Sequence, residues 1–100
     1  MPEKVVVYWR DIPAQVIVKA GRRTAKRPLP ERFEQAIDRA AMRAGLTGTD
    51  AYLEQWRRGD PVPCGEDLEA EADAEARRLE AAHPPERLRA LVANGGLELG

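Results

Sequence analysis

The sequence predicts an α+β fold, in which an N-terminal antiparallel β-hairpin packs against three or four short α-helices. Three observations carry this expectation. Residues 5–18 hold five of the seven valines, two of the three isoleucines and two of the five aromatics, and these residue types favour strands. Beyond residue 27 the chain becomes alanine-rich, with apolar residues at helical spacing. At 100 residues it has room for one core, so one domain is expected over 1–100.

The elements follow in order. Residues 4–10 and 14–20 read as the strands of a β-hairpin over 4–20, with Asp11-Ile12-Pro13 supplying the turn chemistry. In the second strand Ala14, Val16, Val18 and Ala20 alternate with Gln15, Ile17 and Lys19. The first strand is apolar both ways: Val5, Val7 and Trp9 on one side, Val6 and Tyr8 on the other. Strands of that kind usually have both faces covered, and two strands alone are marginal in water. Helices must cover one face, and something else covers the other or extends an edge. Residues 21–30 read as a basic, proline-punctuated connector.

A helix over 31–44 gathers Phe33, Ala36, Ile37, Ala40, Ala41 and Ala44 into one stripe, and Gly45 stops it. Arg32, Glu34, Asp38, Arg39 and Arg43 take its other side. A shorter helix over 50–58, with Thr49 as N-cap and Gly59 as terminator, presents Tyr52, Leu53 and Trp56. Residues 60–65 form a turn-rich linker. A helix over 66–82 sets Leu68, Ala72, Leu79 and Ala82 on one side and acids nearly everywhere else. Its acidic first turn, with Arg77 and Arg78 near its end, suits the helix dipole. His83-Pro84-Pro85 breaks it. A last helix over 85–93 carries Leu88, Leu91 and Val92 and closes at Asn94-Gly95-Gly96, leaving residues 97–100 frayed.

Charge is distributed unevenly. The formal net charge is −1, yet residues 1–27 carry a local +5, residues 28–60 a local −1 and residues 61–100 a local −5. The simplest consequence is attraction between the two ends within the fold. No stretch reaches the ~20 apolar residues of a membrane span. The N-terminal Met1-Pro2-Glu3-Lys4 shows no signal-peptide pattern, and Cys64 as the lone cysteine excludes an internal disulfide. A cytoplasmic protein without a membrane segment is expected.

No catalytic motif stands out. Cys64 precedes a predicted helix, where the dipole lowers a thiol pKa, but Glu66 and Asp67 oppose the thiolate. His83, the only histidine, falls at the far end of that helix, over ~25 Å away. A metal needs three or four ligands, and one Cys with one His supplies no such set; Glu69, Asp73 and Glu80 read as a solvated face. Neither metal nor cofactor is expected. The basic residues Lys19, Arg22, Arg23, Lys26 and Arg27 could contact phosphates, with Tyr8 and Trp9 stacking on bases, although nucleic-acid domains are usually more basic overall. Trp9, Tyr52 and Trp56 fit a core. The two apolar faces of the first strand make Tyr8, Trp9 and Arg10 the better candidates for a contact surface.

Several blocks carry a family resemblance. Residues 7–17 (Val-Tyr-Trp-Arg-Asp-Ile-Pro-Ala-Gln-Val-Ile), the basic connector, Leu29-Pro30-Glu31-Arg32-Phe33-Glu34-Gln35-Ala36-Ile37-Asp38, Asp50-Ala51-Tyr52-Leu53 and Trp56-Arg57 together resemble the small bacterial virulence factor domain family, over roughly residues 4–92. The resemblance implies a domain that stands alone or is joined to a NifU-like domain and helical repeats, as in conserved virulence factor C. It implies no catalytic or binding residue. The expected function is a small interaction or regulatory module that self-associates or docks on a protein partner by strand addition at the hairpin. Nucleic-acid binding through residues 19–27 is the rival, and a minor thiol chemistry at Cys64 the third reading.

Overall fold

The computed structural model describes residues 2–48 and 50–98. The α+β class is as expected, but the sheet is larger than a hairpin. Strands β1 (Glu3–Trp9), β2 (Ile12–Ala20) and β3 (Arg23–Pro28) lead into helix α1 (Glu31–Arg43) and the short α2 (Asp50–Glu54). Then come β4 (Trp56–Arg58), β5 (Val62–Pro63), α3 (Leu68–Ala82) and α4 (Pro85–Ala93). The five-stranded antiparallel sheet runs β3-β2-β1-β4, with β5 also on β1.

Three sequence expectations are corrected. The basic connector over 21–30 contains β3, paired with β2 from Ala20↔Arg23 to Gln15↔Pro28 after a turn in which Gly21 takes φ +61°. Its alternation is hidden because the residues on its α3 side, exposed Arg23, buried Ala25 and half-buried Arg27, include only one apolar side chain. The helix expected over 50–58 ends at Glu54, and Trp56–Arg58 pairs with β1 instead. The gain is a covered edge on β1, which tertiary pairing can impose over local propensity. Thr49 lies outside the described residues. Finally, the hairpin turn is Arg10-Asp11, since Ile12 pairs with Trp9 and Pro13 with Tyr8. Pro13, without an N–H, is accommodated beside the irregularity at Ala14.

The helices begin and end for local reasons. Asp67 accepts a hydrogen bond from the Ala70 N–H (3.1 Å) and caps α3. Both α1 and α4 close in Schellman turns: Leu46 N–H donates to the Ala41 carbonyl and Gly96 N–H to the Leu91 carbonyl, with Gly45 and Gly95 at positive φ.

The core lies between the sheet and α3. Val6, Val16, Val18 and Ala25 meet Leu68, Ala72, Ala76 and Leu79, and Phe33, Ala36, Ile37 and Ala40 of α1 extend the same cluster. The two charged ends of the chain do attract. Lys4 pairs with Glu75 (3.2 Å), and Arg27 with Glu69 (3.1 Å) and Asp73 (4.0 Å). These contacts identify Lys4, Val6, Val16, Val18, Ala25 and Arg27 as the face turned to α3. Strand alternation puts Val5, Val7, Ile17, Lys19 and Lys26 on the opposite face.

Glu75 is the buried charge of this layer, gripped by Lys4 and by a fork from Arg78, whose Nε donates to Oε1 at 3.0 Å and whose Nη2 reaches Oε2. The Arg78 hydrogen bond, outweighing burial and aided by Lys4, holds its pKa below the ordinary 4.5. A depressed carboxylate pKa contributes stability that is present above the unfolded-state value and lost as pH falls through the folded one. Urea midpoints measured from pH 7 to pH 3 are therefore expected to fall below about pH 4.5. Glu75→Gln is expected to be less stable at pH 7 and to show a flatter acid limb; an unchanged limb refutes the assignment.

Candidate functional site

The site built around residues 8–11 is a clasp. Trp9 is wholly buried. Its indole N–H donates to the Tyr52 carbonyl (3.0 Å), and its ring lies 5.6 Å from the Tyr52 ring. A Cβ at Gly96 would come within 2.8 Å of the indole, so only glycine lets the end of α4 close over it. Arg10 adopts φ +53°, a conformation that costs a non-glycine residue about 1–3 kcal/mol unless its surroundings hold it. They do. Its N–H donates to the Gln55 carbonyl (3.1 Å), Nε to Gln55 Oε1 (3.1 Å) and Nη1 to the Gly95 carbonyl (2.9 Å). The guanidinium also sits 5.4 Å from the Trp9 ring centre.

Asp11 completes the arrangement. Its N–H donates to the Gly96 carbonyl (2.9 Å), and its carboxylate accepts from Arg57 (3.2 Å) and the Glu98 N–H (2.6 Å). Arg57 stacks 4.5 Å over Tyr8 and donates to the Arg10 carbonyl (2.9 Å). The tip thereby ties β4 and the end of α4 to β1. As a contact surface the trio Tyr8, Trp9 and Arg10 is corrected: Trp9 is core, Arg10 is engaged internally, and Tyr8 is half-buried beneath Arg57. Residue 98, expected to fray, is held by Asp11 and Arg87.

The basic residues are placed differently. Lys19, Arg22, Arg23 and Lys26 are exposed and make no ion pair among the described residues, whereas Arg27 is half-buried against α3. Lys19 lies opposite Glu3, at the far end of β1 from Tyr8. The aromatics that would stack on bases are thus not brought to the basic strand. Tyr8 instead lines a cleft of about 440 Å³ with Arg57, Arg78 and Arg87, each of which is paired with a carboxylate.

Cys64 is half-buried, and its N–H donates to the Pro2 carbonyl (3.1 Å). Burial first, then the Glu71 carboxylate, pushes the thiol pKa up, with Lys4 opposing. His83 is buried at the other end of α3, donating from Nδ1 to the Leu79 carbonyl (2.8 Å) and meeting Phe33 edge-on. The structure does not bring Cys64 and His83 together. No group of three or more His, Cys, Asp or Glu that could hold a metal occurs among the described residues, and none of their helices is long and apolar enough to cross a membrane.

Sequence reading missed one grouping. Arg32, Arg39 and Arg43 of α1 line a single groove with Arg89 of α4. Their spacing along α1 sets them opposite its apolar stripe, but nothing in the sequence says which helix lies beside them.

A family model described as Virulence factor matches residues 7–92. No curated protein and no solved structure matches the chain. The clasp makes Trp9 a stability determinant: Trp9→Ala is expected to cost about 3–5 kcal/mol, read as a lowered urea midpoint. Cys64 is expected to alkylate with iodoacetamide at pH 7.4 more slowly than free cysteine, and faster in Glu71→Gln. A rate above that of free cysteine would reinstate a reactive thiol.

Proposed function

The chain belongs to the virulence factor family, and on that premise we propose that it is a small cytoplasmic interaction module that accepts an acidic strand of a partner protein at the free edge of β3. One observation carries this reading. Strand β3 pairs only with β2 among the described residues, so its outer edge leaves backbone donors and acceptors available for strand addition. The same edge is basic, with Arg23 and Lys26 exposed and in no ion pair among the described residues.

Charge then decides the partner. Like charges opposite one another across a strand pair are destabilising, and opposite charges stabilise it. Two β3 edges pairing with each other would juxtapose their arginines and lysines, which disfavours self-association by this route and selects an acidic strand. On the outer face half-buried Val5 and Val7 lie among Lys19, Lys26 and Arg58, a cationic surround that fits the same acidic partner. The cytoplasmic setting is supported by the single free cysteine. Nucleic-acid binding, which would use the same cations, lacks an aromatic platform beside them.

The test compares the wild-type chain with Arg23→Glu/Lys26→Glu as bait in a lysate of the source organism, followed by titration with the purified captured protein. A partner that binds the wild type directly, is lost in the double variant and slows hydrogen exchange of β3 amides is the expected result. Salt-dependent binding of single-stranded oligonucleotides, lost in the same variant with no protein partner found, would replace this reading with its rival. The substitutions are at exposed sites, where stability changes stay within about 0.5 kcal/mol.

A further inference from the structure

Helices α1 and α4 lie side by side, and the groove between them holds about 400 Å³. Buried Leu88 and half-buried Val92 form its floor, and Arg32, Arg39, Arg43 and Arg89 form its walls; neither a carboxylate nor an aromatic ring lines it. The charge is uncompensated. Among the described residues Arg39, Arg43 and Arg89 make no ion pair, while Arg32 reaches only the Glu80 carbonyl (3.5 Å) and lies 4.9 Å over the Phe33 ring. Elsewhere Arg27, Arg57, Arg77, Arg78 and Arg87 each meet a carboxylate. Arg39 and Arg43 also stand one turn apart, a like-charge pair that destabilises an isolated helix.

We infer that this groove docks an acidic amphipathic α-helix of a partner protein. The apolar floor between cationic walls complements a helix whose apolar stripe is flanked by Glu and Asp. Guanidinium forks suit carboxylates, which they bind bidentately. Arg32, Arg39 and Arg43 span three turns, ~16 Å, enough for an i, i+4, i+7 set of anchors. A single-stranded nucleic acid would find phosphate partners but no ring to stack on. The groove is formed by helices and does not involve β3, so this inference stands apart from the strand-addition reading.

The test titrates the full chain into fluorescein-labelled probes followed by anisotropy. The probes are an amphipathic peptide of about 16 residues with a leucine stripe flanked by glutamates, its scrambled isomer, a single-stranded oligonucleotide and phosphatidylglycerol vesicles. Saturable binding of the amphipathic peptide, at least about tenfold tighter than the scrambled one, is expected, with amide shifts along α1 and α4. Arg39→Glu/Arg43→Glu is expected to weaken it about tenfold or more. Val92→Asp, checked for fold by circular dichroism, should weaken it with every arginine intact, and Arg23→Glu/Lys26→Glu should leave it unchanged. Equal binding of the scrambled peptide, preference for the oligonucleotide or vesicles, or indifference to the α1 double variant overturns the inference.

Discussion

The structure depends on the requirement that one indole be both buried and hydrogen-bonded. Trp9 is the largest wholly buried side chain, and an indole N–H removed from water needs an acceptor. Supplying the Tyr52 carbonyl brings α2 to the end of the hairpin. Closing the other side brings the end of α4, where Gly96 leaves room for the ring. The chain's first and last elements are therefore joined through a residue that reads, in isolation, as an ordinary strand aromatic. The left-handed Arg10 is held by the same neighbours that enclose the ring.

Charge follows a second, simpler logic. The acids concentrated in the C-terminal half place α3 across the basic N-terminal strands, through Lys4–Glu75 and the Arg27 pairs. Once those pairs are made, the remaining cations are not scattered. Arg57, Arg77, Arg78 and Arg87 meet carboxylates of their own, while Lys19, Lys26 and Arg58 lie on the outer side of the sheet and Arg32, Arg39, Arg43 and Arg89 in the groove between α1 and α4. A fold this rich in alanine gains little area per buried residue, so leaving like charges adjacent is a cost it has little margin to carry.

Much of this was legible in advance. The hairpin, α1 and α4 follow from β-branched clustering, 3.6-residue periodicity and Gly-Gly or single-Gly stops, all of which act within a few residues. The double apolarity of β1 announced that two strands alone would not suffice, and β3, β4 and β5 extend the sheet. What it could not announce was the means. Alternation places Tyr8 toward α3 and Trp9 on the opposite face, so the tip is clasped between elements far apart in the chain. The surface assigned to Tyr8, Trp9 and Arg10 failed for that reason. Aromatic and arginine residues enrich both contact surfaces and buried clasps, and only the neighbours distinguish the two.

The sequence by itself determined the class, the helix periodicity, the single core and the attraction between a basic N-terminal and an acidic C-terminal segment. These are local or summed properties, carried by side-chain type and spacing. The tertiary structure alone decided that residues 23–28 form an edge strand, that Trp56–Arg58 leaves a helix to cover β1, and that four arginines from two helices share one groove. Each is a long-range pairing whose free energy comes from a partner segment, and no local pattern encodes which partner that is.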